Sequence, residues 1–225
     1  MTESEWLHGG RPLGMLGYLL DSVHRAPYAE RRFRLFACAC VRQVQGLLGD
    51  RRSRQAIEVA ERYALGLTGP RALEQAANAA RDASLAVWQR SLAGEGALAD
   101  AVRAAQAALD VTTQPARIAA WQVCQALFPT LLLDWAPRPA DLIRDIFGNP
   151  FQQPVLPEHW RFWNDGTIPR LARQIHQDRH HDELPILADA LEDAGCIDQG
   201  ILEHCRNAPV HVPGCWVVEL LLSDD

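Results

Sequence analysis

Five residues late in the chain carry the side chains that zinc prefers: Cys196, His204, Cys205, His211 and Cys215. Thiolate sulfur and imidazole nitrogen suit this borderline-soft ion, and four such donors close a tetrahedral site. The spacing is loose. There is no Cys-x-x-Cys knuckle, and Cys205 and Cys215 stand ten positions apart. His204 and Cys205 are neighbours, which point about 100° apart on a helix and would share one ion awkwardly. The competing reading is buried thiols, among the most frequently buried side chains, with a loop histidine bonded to backbone. Zinc is the one cofactor these residues suggest; otherwise none is expected.

Other groups offer less. Cys38 and Cys40 lie two apart in an apolar run, on different helix faces, which predicts core packing rather than a shared metal. His176 and His180 are four apart, with Asp178, His181, Asp182 and Glu183 nearby. They could form a surface metal site, or a solvated helix end where histidine suits the dipole. Asp189, Glu192 and Asp193 could supply paired carboxylates for acid–base work. Their setting, with Leu187 and Leu191 turned inward, reads as an ordinary solvated face. The chain has no Gly-rich phosphate loop and no nucleophile elbow. These signals weigh against an enzyme and leave the catalytic residues, if any, unidentified.

The elements that must position these residues read as helices. Leu13, Leu16, Leu20 and Val23 keep helical spacing over 12–25, and Pro27 interrupts. Phe33, Phe36, Cys40, Val44 and Leu47 make one stripe of a long amphipathic helix. Gly49-Asp50 reads as a stop and restart, with Asp50 or Ser53 capping a helix through Ile57, Ala60, Ala64 and Leu67. Pro70 opens an Ala-rich stretch, broken at Gly94 and Gly96, with Trp88 and Trp121 as its large anchors. A further run from Pro115 ends near Trp135, bent or split at Pro129.

Pro137, Pro139, Pro150, Pro154 and Pro157, with Phe147, Phe151, Trp160, Phe162 and Trp163, then mark a linking segment that pins its aromatics into the core. Only Ala140–Phe147 within it looks helical. Gly148-Asn149-Pro150-Phe151 is a tight turn by composition, a corner or a docking point. Three short helices follow, capped by Asp165 or Thr167, by Asp182 and by Asp198. The piece from Cys215 to Leu222 fits helix or strand.

The net charge is −6, which argues against a nucleic-acid partner, since phosphate neutralisation needs a basic surface. All 22 basic residues are Arg, a codon-usage signature or a preference for bidentate contacts. No stretch of about 18 apolar residues exists, so no membrane partner is expected. The acidic start, Met1 to His8, lacks the pattern of a signal peptide. The expectation is a cytoplasmic protein with reduced thiols.

Four stretches resemble a bacterial family that occurs as many paralogues. They are Arg34-Leu-Phe-Ala-Cys-Ala-Cys40, Ser53 to Tyr63, Asp141 to Phe151, and Leu184 to Leu222 with its Gly-Cys-Trp-Val-Val-Glu run. The acidic start with Glu5-Trp6-Leu7 is similar too. The family has no established activity, so the resemblance implies no substrate. Val41 stands where a third Cys is usual, and the His180-His181 pair departs from the pattern.

Together these readings predict an all-α multi-helix bundle in two packed parts. The first is 1–136, the second 166–225, and the Pro- and aromatic-rich segment 137–165 joins them. For function they favour a non-catalytic interaction or adaptor module with another protein as partner. The alternatives are a zinc-stabilised regulatory domain built on the late Cys/His cluster, and a metal-dependent enzyme or nucleic-acid-associated accessory protein.

Overall fold

A computed structural model describes residues 1–22, 28–95, 98–128, 138–152 and 154–222. The expectations for Val23, Pro27, Gly96, Pro129, Trp135 and Pro137 lie outside these residues. The first helices are α1 (Glu3–His8), α2 (Pro12–Ser22), α3 (Ala29–Gln43), α4 (Arg51–Ala64), α5 (Pro70–Leu92) and α6 (Ala99–Asp110). They are followed by α7 (Ala116–Leu127), α8 (Pro139–Phe147), α9 (Thr167–Asp178), α10 (Leu184–Asp193), α11 (Gln199–Asn207) and α12 (Trp216–Leu222). The described residues contain no strand, so the protein is all-α. Among them, no helix is long and apolar enough to cross a membrane.

The chain divides into two compact units. Unit 1 spans Gly10–Pro139 together with Met1, and unit 2 combines Thr2–Gly9 with Ala140–Asp225. Unit 2 is therefore built from two stretches far apart in sequence.

In unit 1, α3 is central. Every side chain from Phe33 to Val41 is buried, because α4, α6 and α7 pack around it. A helix covered on all sides must satisfy any charge it carries. Arg34 does so by donating to Val111 O and Thr113 O, just beyond the end of α6. Arg42 forks onto both carboxylate oxygens of Glu61 on α4. Asp50 caps α4 by accepting from Arg52 N at 2.8 Å, whereas Ser53 is buried within the helix. Small side chains let α5 and α6 approach closely, through Ala76, Ala80 and Ala83 on one and Ala104, Ala107 and Ala108 on the other. Trp88 does not anchor this interface; it is half exposed on α5. On α2 the buried stripe is Met15, Leu16 and Leu19, one position round from the expected one.

In unit 2, Ile168 and Ile175 of α9 meet Leu187 and Leu191 of α10, Ile201 and Leu202 of α11, and Val217 and Val218 of α12. Trp160 is buried with them, while Phe151 and Phe162 are exposed instead of filling the core. Asp198 caps α11 through Gly200 N and Ile201 N. Asp182 does not cap α10, because a short 3-10 turn, His181–Glu183, occupies that place. The ambiguous last element is a helix, α12.

Candidate metal centre

Unit 2 brings four potential ligands together: Asp145, His204, His211 and Cys215, whose donor atoms all lie within 4.8 Å of one another. Each has a local reason for its place. Asp145 sits on α8 among Leu142, Ile143 and Ile146, which are fully buried and draw the carboxylate inside with them. His204 lies on α11, held by the apolar face of Ile201, Leu202 and Cys205. His211 and Cys215 flank a tight turn in which Val212 O accepts from Cys215 N at 3.0 Å. Pro213 pre-sets the first central position of that turn, and Gly214, with φ of +96°, takes the left-handed second one. The turn thus returns Cys215 to the side from which His211 projects.

The donor atoms form a close cluster. Asp145 Oδ1 is 3.2 Å from His204 Nε2 and 2.9 Å from His211 Nδ1. Cys215 Sγ is 3.2 Å from His204 Nε2 and 3.9 Å from His211 Nδ1. A tetrahedral zinc with bonds of about 2.0–2.3 Å has donor–donor edges of about 3.3–3.8 Å, so three of these contacts are shorter than its edges and one is longer. Asp145 Oδ2 is already occupied, accepting Val212 N at 2.8 Å. Only Oδ1 therefore faces the cluster, which would be four-coordinate.

The residues of the cluster also act on one another electrostatically. Burial alone would raise the Asp145 carboxyl, but hydrogen bonds and charge from His204 and His211 outweigh it and hold the acid below its usual range. Burial, and then the neighbouring Asp145 charge, push the Cys215 thiol well up, against backbone N–H groups of Val218 and Val217 that favour the thiolate. A divalent cation bound there would reverse that balance, since a coordinated thiol loses its proton.

Three of the five sequence candidates, His204, His211 and Cys215, belong to the cluster. Cys196 and Cys205 do not. Both are buried in the core of unit 2, where burial pushes Cys205 up to about 12 and also raises Cys196. Adjacent His204 and Cys205 diverge, as their spacing predicts. Asp145 was missed because it falls in the segment read as a linker; the signal for it was an acid set between Leu142 and Ile146 on an apolar helix.

His181 lies near enough to the cluster for the charges of Asp145 and His211 to act on it, though it is not among the four converging residues; the other candidates stay apart. His176 Nδ1 faces Glu219 at 3.6 Å and His180 Nδ1 faces Glu183 at 3.5 Å, with the left-handed Arg179 turning the chain between them. Asp189 and Glu192 both pair with Arg206 NH2 at 2.6 Å on the surface. Cys38 is buried in α3 with its thiol against Ile57 O, and Cys40 is buried in the same helix. Comparison with known proteins finds no matching family, no similar curated protein and no similar solved structure.

Proposed function

We propose that this chain is a non-catalytic interaction module whose unit 2 is held together by a structural zinc ion. The observation that carries the reading is the convergence of Asp145, His204, His211 and Cys215, whose donor atoms lie within 4.8 Å of one another. The donor set of two imidazoles, a thiolate and one carboxylate oxygen suits zinc and not magnesium or calcium, which prefer oxygen shells. Four protein donors leave no open position, and catalytic zinc sites keep one for water or substrate.

The interaction half of the proposal is supported by α5. Leu85, Trp88 and Leu92 repeat on one face of that helix, exposed by 49%, 49% and 68%. Apolar and aromatic side chains at this spacing are how helices meet partners. The partner in this reading is another protein, since a net charge of −6 disfavours nucleic acid. Six free, buried thiols suit the cytoplasm.

The test is total metal by elemental analysis on untagged protein. The expected result is about one zinc per chain, lost in Asp145→Asn and in Cys215→Ser. Folded, metal-free protein that takes no zinc from a chromophoric chelator would overturn the reading.

A further inference from the structure

The segment Thr2–Gly9 docks in unit 2 through groups that also frame the metal centre. Trp6 is fully buried, and its Nε1 donates to Gly148 O at 2.9 Å. Gly148 is left-handed, with φ of +67°, and its Cα faces Trp216 so closely that a Cβ would lie 2.9 Å from Trp216 Cδ2. Trp216 follows Cys215, and its ring centre is 5.3 Å from that of His204. Arg144, next to Asp145, donates from Nε to Trp6 O at 2.9 Å and from its NH2 group to Gly9 O. Glu3 accepts from Asn149 Nδ2 at 2.6 Å and from Gln152 Nε2 at 2.7 Å.

Asp145 thus adjoins Arg144, which holds Trp6, while Cys215 adjoins and His204 touches Trp216, the ring packed against Gly148. A helix of six residues does not persist alone in water, so α1 is helical because it is docked. We propose that zinc in the Asp145/His204/His211/Cys215 site locks segment 2–9 onto α8, and that losing the ion releases it. The inference rests on the metal-site reading above. Without the ion, α8, α11 and the start of α12 are joined at this point by hydrogen bonds to Asp145 and by packing. Metal bonds fix all three, and with them the spacing of Gly148 from Trp216 and the aim of Arg144.

The experiment is hydrogen exchange on the full chain, with and without zinc, read in peptides covering residues 3–9 and 204–219. Zinc binding is followed separately by competition with a chromophoric chelator. Zinc is expected to slow exchange in 3–9 by roughly tenfold or more. Arg144→Ala is expected to bind zinc but to leave 3–9 fast in both states. Zinc binding that protects 204–219 and leaves 3–9 unchanged would overturn the latch while the site stands. A zinc response in Arg144→Ala equal to that of the unsubstituted chain would overturn the route through α8. Absence of zinc binding in the competition would remove the site, and the latch with it.

Discussion

Asp145 and Val212 lie 67 positions apart in sequence and are joined by one hydrogen bond, from Val212 N to Asp145 Oδ2 at 2.8 Å. This bond ties the turn carrying His211 and Cys215 to α8 and aims the other carboxylate oxygen at both imidazoles. Asp145→Ala removes the acceptor of the backbone N–H and the charge facing two rings. Breaking a buried ionic group of this kind costs about 3–5 kcal/mol. The expected outcome in urea unfolding is a loss of that order. Asp145→Asn keeps an oxygen and should lose less stability, yet it should show no stabilisation by zinc. Equal stability of Asp145→Ala and the unsubstituted protein would mean that the carboxylate holds nothing.

Cys205 separates the structural cluster from the one the sequence suggested. Its thiol lies in the core of unit 2, raised to about 12 by burial, and is not among the four converging donors. Cys205→Ala should retain the full zinc content and cost about 1 kcal/mol through lost packing. Elemental analysis decides: loss of the metal in Cys205→Ala would redraw the ligand set.

Helical periodicity made most of this fold legible. Phe33, Phe36, Cys40 and Val44 are all fully buried, as their stripe predicts, whereas Leu47, the last residue of that expected stripe, lies beyond the end of α3 and is exposed. The caps were legible only where a side chain reaches the helix start, as at Asp50 and Asp198. At α9 and α10 the turn comes from backbone geometry instead, with left-handed Gly166 before one and a 3-10 turn before the other. Three of the four residues of the cluster, His204, His211 and Cys215, were legible, and Asp145 was not. His211 and Cys215 lie close in sequence, but their carboxylate partner comes from another helix, and only the fold records that distance. Leu85, Trp88 and Leu92 were not recognised as an exposed face, since composition does not say which side of an Ala-rich helix is covered.

Gly148 is a sharper probe of the frame around the site than any ligand. Its φ of +67° strains a side-chain-bearing residue, and an added Cβ would meet Trp216 Cδ2 at 2.9 Å and Cγ at 3.0 Å. Gly148→Ala should therefore destabilise unit 2 by about 1–3 kcal/mol. Because Trp216 adjoins Cys215, zinc should also bind more weakly in chelator competition. Unchanged affinity together with lowered stability would separate the frame from the site.

Asp110 gives a pH-dependent prediction in unit 1, away from any metal ligand. It closes α6, a helix end that disfavours negative charge. Burial raises its pKa, and a hydrogen bond from Gln106 Nε2 at 2.8 Å only partly offsets the shift. The folded chain thus holds this proton more tightly than the unfolded chain does. The stability Asp110 contributes is fully present below the unfolded value of about 3.9 and is lost as pH rises through the folded value. Asn cannot ionise and can accept the same bond from Gln106. Asp110→Asn should therefore be more stable than the unsubstituted protein at neutral pH, with the advantage shrinking as pH falls toward about 4. Thermal melts across that range test the sign. An advantage that grows on acidification would show that the ionised carboxylate is stabilising at the end of α6, contrary to the burial that dominates its environment.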